Sequence, residues 1–217
     1  MKSLVPVKTP SVVKKMFPQY VWSIPTSEPA IYLTFDDGPT PEITDWTLKL
    51  LKKFDAKATF FCIGNNIEKY PELFRDIVSC GHAVGNHTHN HLKGWKTPTK
   101  NYLKNISKTE FIISSHSYKT NLFRPPYGRI RPKQAKQLMA LGYHIIMWDV
   151  LSFDWDKDIS QETCLKNVVE NTGKGSIIVF HDSVKASGNM MPVLPKVLEH
   201  YSKLGYTFKA LEFKDIV

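Results

Sequence analysis

The sequence predicts an α/β fold, an irregular, TIM-like (β/α)7 barrel in a single domain. From about residue 31, short apolar runs alternate with longer segments at helical spacing, which is typical of parallel βα units. Polar side chains come at or just after the ends of five of these runs. A barrel gathers such ends around one rim, whereas an open sheet gathers only those near its switch point. The barrel is therefore favoured, and 217 residues suffice for its core.

Each predicted strand is a short run of apolar and β-branched residues. The predicted strands are Ile31–Phe35, Ala58–Cys62, His82–Gly85, Leu122–Phe123, His144–Asp149, Ser176–Phe180 and Thr207–Leu211. Seven strands are one short of a full barrel, which is why we expect an irregular one.

The predicted helices have apolar residues every three or four positions, and several have Pro at the start and Gly after the end. The first carries Ile43 and Leu50 on one face, with Thr40 as its expected N-cap and Pro41 as its first residue. The others are expected to begin at Pro71, Pro98, Pro132 and Ser160, and the last holds Val193 to Tyr201 ahead of Gly205.

Composition excludes several classes of protein. The formal net charge of +9 indicates either a solvated lysine surface or attraction to an anionic partner. No nucleic-acid motif occurs, so we expect no nucleic-acid partner. Three cysteines without a CxxC pair indicate neither a disulfide framework nor a thiolate zinc site. No run approaches the roughly 20 apolar residues of a membrane span, and no signal peptide is visible. At face value we expect a cytoplasmic protein, with export left open.

Two short runs about fifty residues apart carry the predicted chemistry. Residues 34–39 end an apolar strand with the adjacent carboxylates of Asp36 and Asp37, which point to opposite faces if the strand continues. Residues 87–91 hold three histidines. Two imidazoles and one carboxylate leave a divalent metal ion an open position for water, and the spare carboxylate can serve as a general base. The pair of runs therefore predicts a hydrolase.

The conformation of the histidine run decides which imidazoles converge. If the run is helical, His87 and His91 share a face and His89 points away. If the run is extended, all three share a face. The sequence leaves both alternatives open.

Five motifs in order resemble those of the polysaccharide deacetylase family, also called the NodB-homology or family 4 carbohydrate esterases. The resemblance covers about residues 30–213. The motifs are Thr34–Pro39, His87-Thr88-x-x-His91, Arg124–Gly128, Asp154-Trp155 and the apolar run ending in His181-Asp182. Each motif alone is weak, but the ordered set is highly specific.

The resemblance implies one divalent metal ion, bound by Asp37, His87 and His91. Zinc is expected, with cobalt or nickel as alternatives. It also implies that Asp36 is the general base that takes a proton from water, and that Arg124 holds this carboxylate in place.

The same resemblance implies roles for the residues that contact the leaving group, the carbonyl oxygen and the acetyl group. His181 would be the general acid and Asp154 would tune it. The backbone N–H of Tyr127 would help to hold the charge on the carbonyl oxygen. Trp155 and Val179, with Tyr127, would line the pocket for the acetyl group.

Two positions depart from the family pattern. Val179 stands where the family usually has Leu, which should enlarge the acetyl pocket slightly. His89 is an extra imidazole inside the metal motif, and we expect it to affect metal choice or the contacts around the ligands.

The resemblance thus implies a metal-dependent hydrolase that removes N-acetyl groups from N-acetylhexosamine units of a peptidoglycan- or chitin-like glycan. Residues 1–30 would be a lead-in that packs on the barrel, and residues 31–217 the catalytic domain. We expect a monomer whose partner is an acetylated glycan. One alternative is an amidohydrolase of a small non-sugar amide, which a narrow, closed pocket would favour over an open groove. The other is a non-catalytic glycan-binding relative.

Overall fold

The computed structural model describes residues 5–212. The strands are β1 Ala30–Asp36, β2 Ala58–Cys62, β3 Ala83–Asn86, β4 Leu122–Phe123, β5 His144–Ile145, β6 Val150–Leu151, β7 Ile177–His181 and β8 Thr207–Phe208. The helices are α1 Ser11–Met16, α2 Ile43–Lys53, α3 Gly64–Lys69, α4 Pro71–Ser79, α5 Thr99–Ser115, α6 Pro132–Ala140, α7 Gln161–Val169 and α8 Ser187–Lys203. Short 3-10 turns cover Gly94–Lys96 and Pro126–Gly128.

The strands form one curled parallel sheet in the order β5-β4-β3-β2-β1-β7-β6, and β8 pairs with the start of β1. This confirms the predicted irregular barrel. The predicted strand His144–Asp149 is wrong in its extent, because only His144–Ile145 form a strand there, β5, and the next strand, β6, begins at Val150. Between them, the N–H of Met147 donates to the carbonyl of Val21 at 2.7 Å. The backbone therefore leaves the sheet to pair with the N-terminal segment.

The start of α2 also differs from the prediction. Thr40 and Pro41 lie in the turn before the helix, and Glu42 is the N-cap. Glu42 has a φ of +65°, which interrupts helical geometry ahead of Ile43. The helices α1 and α3 were not predicted, since each has six residues and too few buried positions to show a period.

The N-terminal segment spans the gap between β5 and β6. The N–H of Thr9 donates to the carbonyl of Asp149 at 2.8 Å, and the N–H of Val21 to that of Ile145 at 2.9 Å. The buried Asp149 carboxylate binds the ammonium groups of Lys8 and Lys14. The division of the chain at residue 30 stays a prediction. No helix within residues 5–212 is long and apolar enough to cross a bilayer.

Alternation along β1 fixes which side chains face the site. Phe35 packs toward the helices, where its ring stacks on Phe60 and Phe180 at centroid distances of 5.0 and 6.2 Å. The neighbours Thr34 and Asp36 consequently point to the inner face. The carboxyl ends of β1 and β7 are level, because Asp36 is in register with His181.

Candidate active site

Three of the predicted ligands meet at the carboxyl ends of the strands. Ligand atoms of Asp37, His87 and His91 all lie within 4.8 Å of one another. The Asp37 Oδ1 atom is 3.7 Å from His87 Nε2 and 3.3 Å from His91 Nε2. This is the carboxylate and two imidazoles that the motifs predict, drawn from the loops after β1 and β3.

Residues in the left-handed backbone conformation direct ligand side chains toward the cluster. Asp37 has a φ of +78° and His91 a φ of +55°, so both leave the direction of the preceding chain. The His87 Nδ1 atom lies 2.7 Å from the carbonyl oxygen of Arg124 and donates to it, which turns Nε2 toward Asp37. Such an outer contact fixes the tautomer and orientation of a metal-binding imidazole.

The donor set fits a divalent metal ion. Burial lowers the pKa of His87, and burial followed by the nearby His87 lowers the pKa of His91 to about 4, so both imidazoles are neutral at pH 7. The buried Oδ1 atom of Asp37 has no hydrogen-bond donor among residues 5–212. A buried carboxylate oxygen without a partner is costly unless a cation completes it.

His89 points away from this centre. Its Nε2 atom is 2.7 Å from Lys108 Nζ and 3.5 Å from a carboxylate oxygen of Glu68. The run is neither helical nor extended, because it turns at Thr88, whose φ is +66°. His89 therefore joins the loop to α3 and α5 and lies outside the ligand set.

Asp36 is held as a buried carboxylate by Arg124, whose side chain is 0% exposed. The Arg124 Nη1 atom donates to Asp36 Oδ1 and to Thr34 Oγ1, both at 2.7 Å. The remaining guanidinium nitrogens donate to the carbonyls of Ile146 and Met147, so the contact with Asp36 uses one nitrogen. Burial raises the pKa of Asp36, but the charge and hydrogen bond of Arg124, together with the nearby His87 and His181, outweigh burial and leave that pKa below its usual value.

His181 is paired with Asp154 on the opposite side of the cleft. Asp154 accepts from the backbone N–H of His181 at 2.7 Å and from its ring Nδ1 at 2.9 Å. Burial would lower the pKa of His181, but the Asp154 carboxylate raises it to about 9. The imidazole is therefore protonated at neutral pH, as a general acid must be.

The predicted substrate-binding residues line a cleft of about 570 Å³ together with the ligands. Val179 is buried, and the Trp155 ring packs edge-on against His181 at 4.8 Å. Tyr127 is 52% exposed, and its ring lies 4.6 Å from that of His91. The backbone N–H of Tyr127, at a φ of +60°, has no acceptor in the described part of the chain. Every predicted site residue thus lies in or against one cleft.

Comparison with known proteins identifies the family. The family described as Polysaccharide deacetylase matches residues 23–146. The chain is 39% identical over 165 residues to a peptidoglycan-N-acetylglucosamine deacetylase of Bacillus cereus, which covers 76% of this chain and 60% of that relative. It is 35% identical over 199 residues to a peptidoglycan-N-acetylmuramic acid deacetylase of Bacillus subtilis, over 88% of this chain and 42% of the relative. The chain belongs to the polysaccharide deacetylase family.

A solved structure supports this assignment. A peptidoglycan N-acetylglucosamine deacetylase, crystallised with 4-naphthalen-1-yl-N-oxidanyl-benzamide, superposes with a TM-score of 0.84 at 35% identity, over 89% of this chain and 91% of that one. The domain is therefore a hydrolase of the deacetylase type. The chain spans less than two thirds of the length of the two curated relatives named above.

Sequence reasoning missed several residues of this polysaccharide deacetylase site. Trp148 and Leu151 line the cleft, although neither was predicted as a site residue. Trp148 lies within the predicted strand His144–Asp149, and Leu151 lies in β6, which the prediction did not include. Asp182 is buried and accepts from the backbone N–H of Gly38 at 3.0 Å and from Thr44 Oγ1 at 2.5 Å. These hydrogen bonds hold the turn that carries Asp37 in position, a role of Asp182 that the motif alone did not reveal.

Proposed function

We propose that the protein is a metal-dependent deacetylase that removes N-acetyl groups from N-acetylhexosamine units of a peptidoglycan- or chitin-like glycan. One observation carries this proposal. The Asp37, His87 and His91 cluster lies in the same cleft as a carboxylate held by Arg124 and a protonated His181. Amide hydrolysis needs these three things together, namely activation of water, a proton acceptor and a proton donor.

The nature of the donors supports zinc as the metal ion. Two neutral imidazoles and one carboxylate form a common ligand set for catalytic zinc and leave a coordination position open. Cobalt and nickel accept the same donors, and they remain the alternatives. A divalent ion bound by Asp37, His87 and His91 would supply Lewis acidity to water and to the acetyl carbonyl.

The protein's own residues would then move the protons. Asp36 would accept the proton of the attacking water through Oδ2, which accepts no hydrogen bond from residues 5–212. The free N–H of Tyr127 would donate to the carbonyl oxygen as negative charge develops there. His181, oriented by Asp154, would donate to the departing amine nitrogen. Val179 would face the acetyl methyl group in the apolar wall of the cleft.

The form of the cleft and the names of the relatives favour a glycan over a small amide. Several side chains at the rim, among them Tyr127 and Arg129, are exposed, so the cleft is open in the way that a chain substrate requires. The two curated relatives are named for deacetylation of N-acetylglucosamine and N-acetylmuramic acid in peptidoglycan. Both sugars are N-acetylhexosamines.

The direct test is acetate release from acetylated chito-oligosaccharides and peptidoglycan fragments. We expect release that a chelator abolishes and added zinc restores. Asp36→Ala and His87→Ala should each reduce it at least about 100-fold, because each removes a group that acts in the chemical step. His89→Ala is the matched control and should retain activity. Release that survives both substitutions would refute the assigned site.

A further inference from the structure

Three cations surround the mouth of the cleft. Lys93 follows β3, Arg129 follows β4 and Lys185 follows β7, and all three are exposed cleft-lining side chains. We name them the basic rim. They come from loops on both sides of β1 in the sheet order, so they flank the ligand cluster from two directions.

The basic rim has no acidic partner. Some lysines elsewhere on the surface pair with neighbouring carboxylates, as Lys203 does with Glu199 at 2.7 Å. Within residues 5–212, no carboxylate forms an ion pair with any of the three rim cations. The acidic residues that line the cleft are Asp36 and Asp37, which are occupied by Arg124 and the ligand cluster. The positive charge of the rim is therefore available to a ligand.

Aromatic side chains hold two of these cations in place. The Lys93 ammonium lies 5.5 Å from the centre of the Tyr127 ring, and the Arg129 guanidinium lies 5.3 Å from that of Trp95. The two rings meet edge to face at 5.3 Å. The attraction between a cation and an aromatic ring is favourable and restricts the position of the cation. An exposed ring also offers an apolar face to a sugar. The rim thus combines a surface for a sugar ring with positive charge next to it.

We propose that the basic rim binds a carboxylate carried by the glycan, on a sugar unit next to the one that loses its acetyl group. The inference rests on the proposed deacetylase function and narrows its substrate class to an anionic glycan. A neutral chitin-like chain offers no charge for these side chains to bind. A peptidoglycan-like chain offers a carboxylate from one of two sources. A muramic acid without a peptide has a free lactyl carboxylate, whereas a muramic acid with a stem has lost it to the amide bond and offers the carboxylates of the peptide instead. The net charge of +9 adds long-range attraction of the same sign.

The test measures binding to the full-length, metal-free protein by calorimetry, so that it does not depend on turnover. The ligands are neutral tetra-N-acetylchitotetraose, a peptide-free tetrasaccharide of alternating N-acetylglucosamine and N-acetylmuramic acid, and the same tetrasaccharide with peptide stems. We expect the carboxylate-bearing ligands to bind about tenfold more tightly at low salt, from several exposed ion pairs. This preference should shrink as NaCl rises from about 50 mM to about 500 mM.

Lys93→Gln, Arg129→Gln and Lys185→Gln should each lower the affinity ratio of charged to neutral ligand about twofold. Lys136→Gln, the same change of charge on the exposed surface of α6, should leave the ratio unchanged. A preference for the peptide-free ligand assigns the lactyl carboxylate, and a preference that needs the stems assigns the peptide.

Equal affinity for charged and neutral ligands, or a ratio that survives loss of all three cations, would overturn the proposal. Acetate release is measured in parallel on the zinc-loaded protein. Charge preference without any release would count against the deacetylase function and not against the rim. Acetate release without a preference for charged ligands would count against the basic rim and not against the deacetylase function.

Discussion

His181 can act as a general acid only while its imidazole is protonated, and Asp154 maintains that state. Burial lowers the pKa of His181, yet the adjacent carboxylate raises it to about 9. Asp154→Asn removes the negative charge and should lower this pKa by about one to three units. The activity that depends on protonated His181 should then disappear at correspondingly lower pH. The measurement is the alkaline limb of kcat/KM for acetate release.

Asp158→Asn provides the control for this prediction. It makes the same change of charge four residues away, at an exposed position, and should leave the limb where it is in the wild type. An alkaline limb that is identical in the Asp154→Asn variant would show that His181 does not supply the proton.

At the level of elements, the turn between β1 and α2 depends on a residue from the end of β7. A Cβ atom on Gly38 would lie 2.0 Å from Asp182 Oδ2, which Thr44 also binds. Gly38→Ala should therefore displace the turn and lower the free energy of unfolding by about 1–3 kcal/mol, as other overpacked sites do. Urea denaturation measures the change.

Gly188→Ala is the matched substitution, since nothing lies within 4 Å of its added Cβ in α8. Its stability should stay within about 1 kcal/mol of the wild type. If Gly38→Ala proves as stable as Gly188→Ala, the close approach of Asp182 does not constrain the turn.

Elements that depend on local sequence could be predicted, whereas those that depend on contacts between residues distant in sequence could not. Strands such as β2 were predictable, because an apolar run between turn residues suffices to specify them. The break between β5 and β6 was not, because it depends on pairing with Val21, more than a hundred residues earlier. Asp182 likewise acts on Gly38 and Thr44, which lie 144 and 138 positions away. The ligand cluster was predictable, since parallel strands bring their carboxyl ends together.

At the level of the whole molecule, Asp149 fastens the N-terminal segment to the barrel. Burial raises the pKa of Asp149, but hydrogen bonds from Lys14 and Ser176, together with the charges of Lys14 and Lys8, outweigh burial and hold that pKa below its usual value. Its ionised form therefore stabilises the fold above the usual carboxyl range near pH 4, and this contribution falls as pH drops through the lowered pKa. Asp149→Asn should lower the free energy of unfolding by about 1–3 kcal/mol at pH 7.

The loss of stability in the Asp149→Asn variant should shrink in acid, where the wild-type carboxylate is protonated as well. Asp45→Asn removes an exposed partner of Lys49 and should cost less than about 1 kcal/mol. Denaturant titrations at pH 7 and in acid compare the free energies of unfolding of the two variants and the wild type. An Asp149→Asn effect no larger than that of Asp45→Asn would mean that the segment is held by its backbone contacts alone.

A metal ion at the ligand cluster would link two parts of the sheet, because Asp37 follows β1, His87 and His91 follow β3, and β2 lies between these strands. An ion that binds the folded chain alone stabilises it by mass action, by about 2.7 kcal/mol at a concentration of 100 times Kd. Zinc should therefore raise the Tm of the wild type. His91→Ala should lose most of that increase, whereas His89→Ala should retain it, because His89 faces Lys108 instead of the ligands. Thermal unfolding with and without zinc measures both. If His91→Ala retains the full increase in Tm, the stabilisation arises away from the cluster and the assignment of the ligands fails.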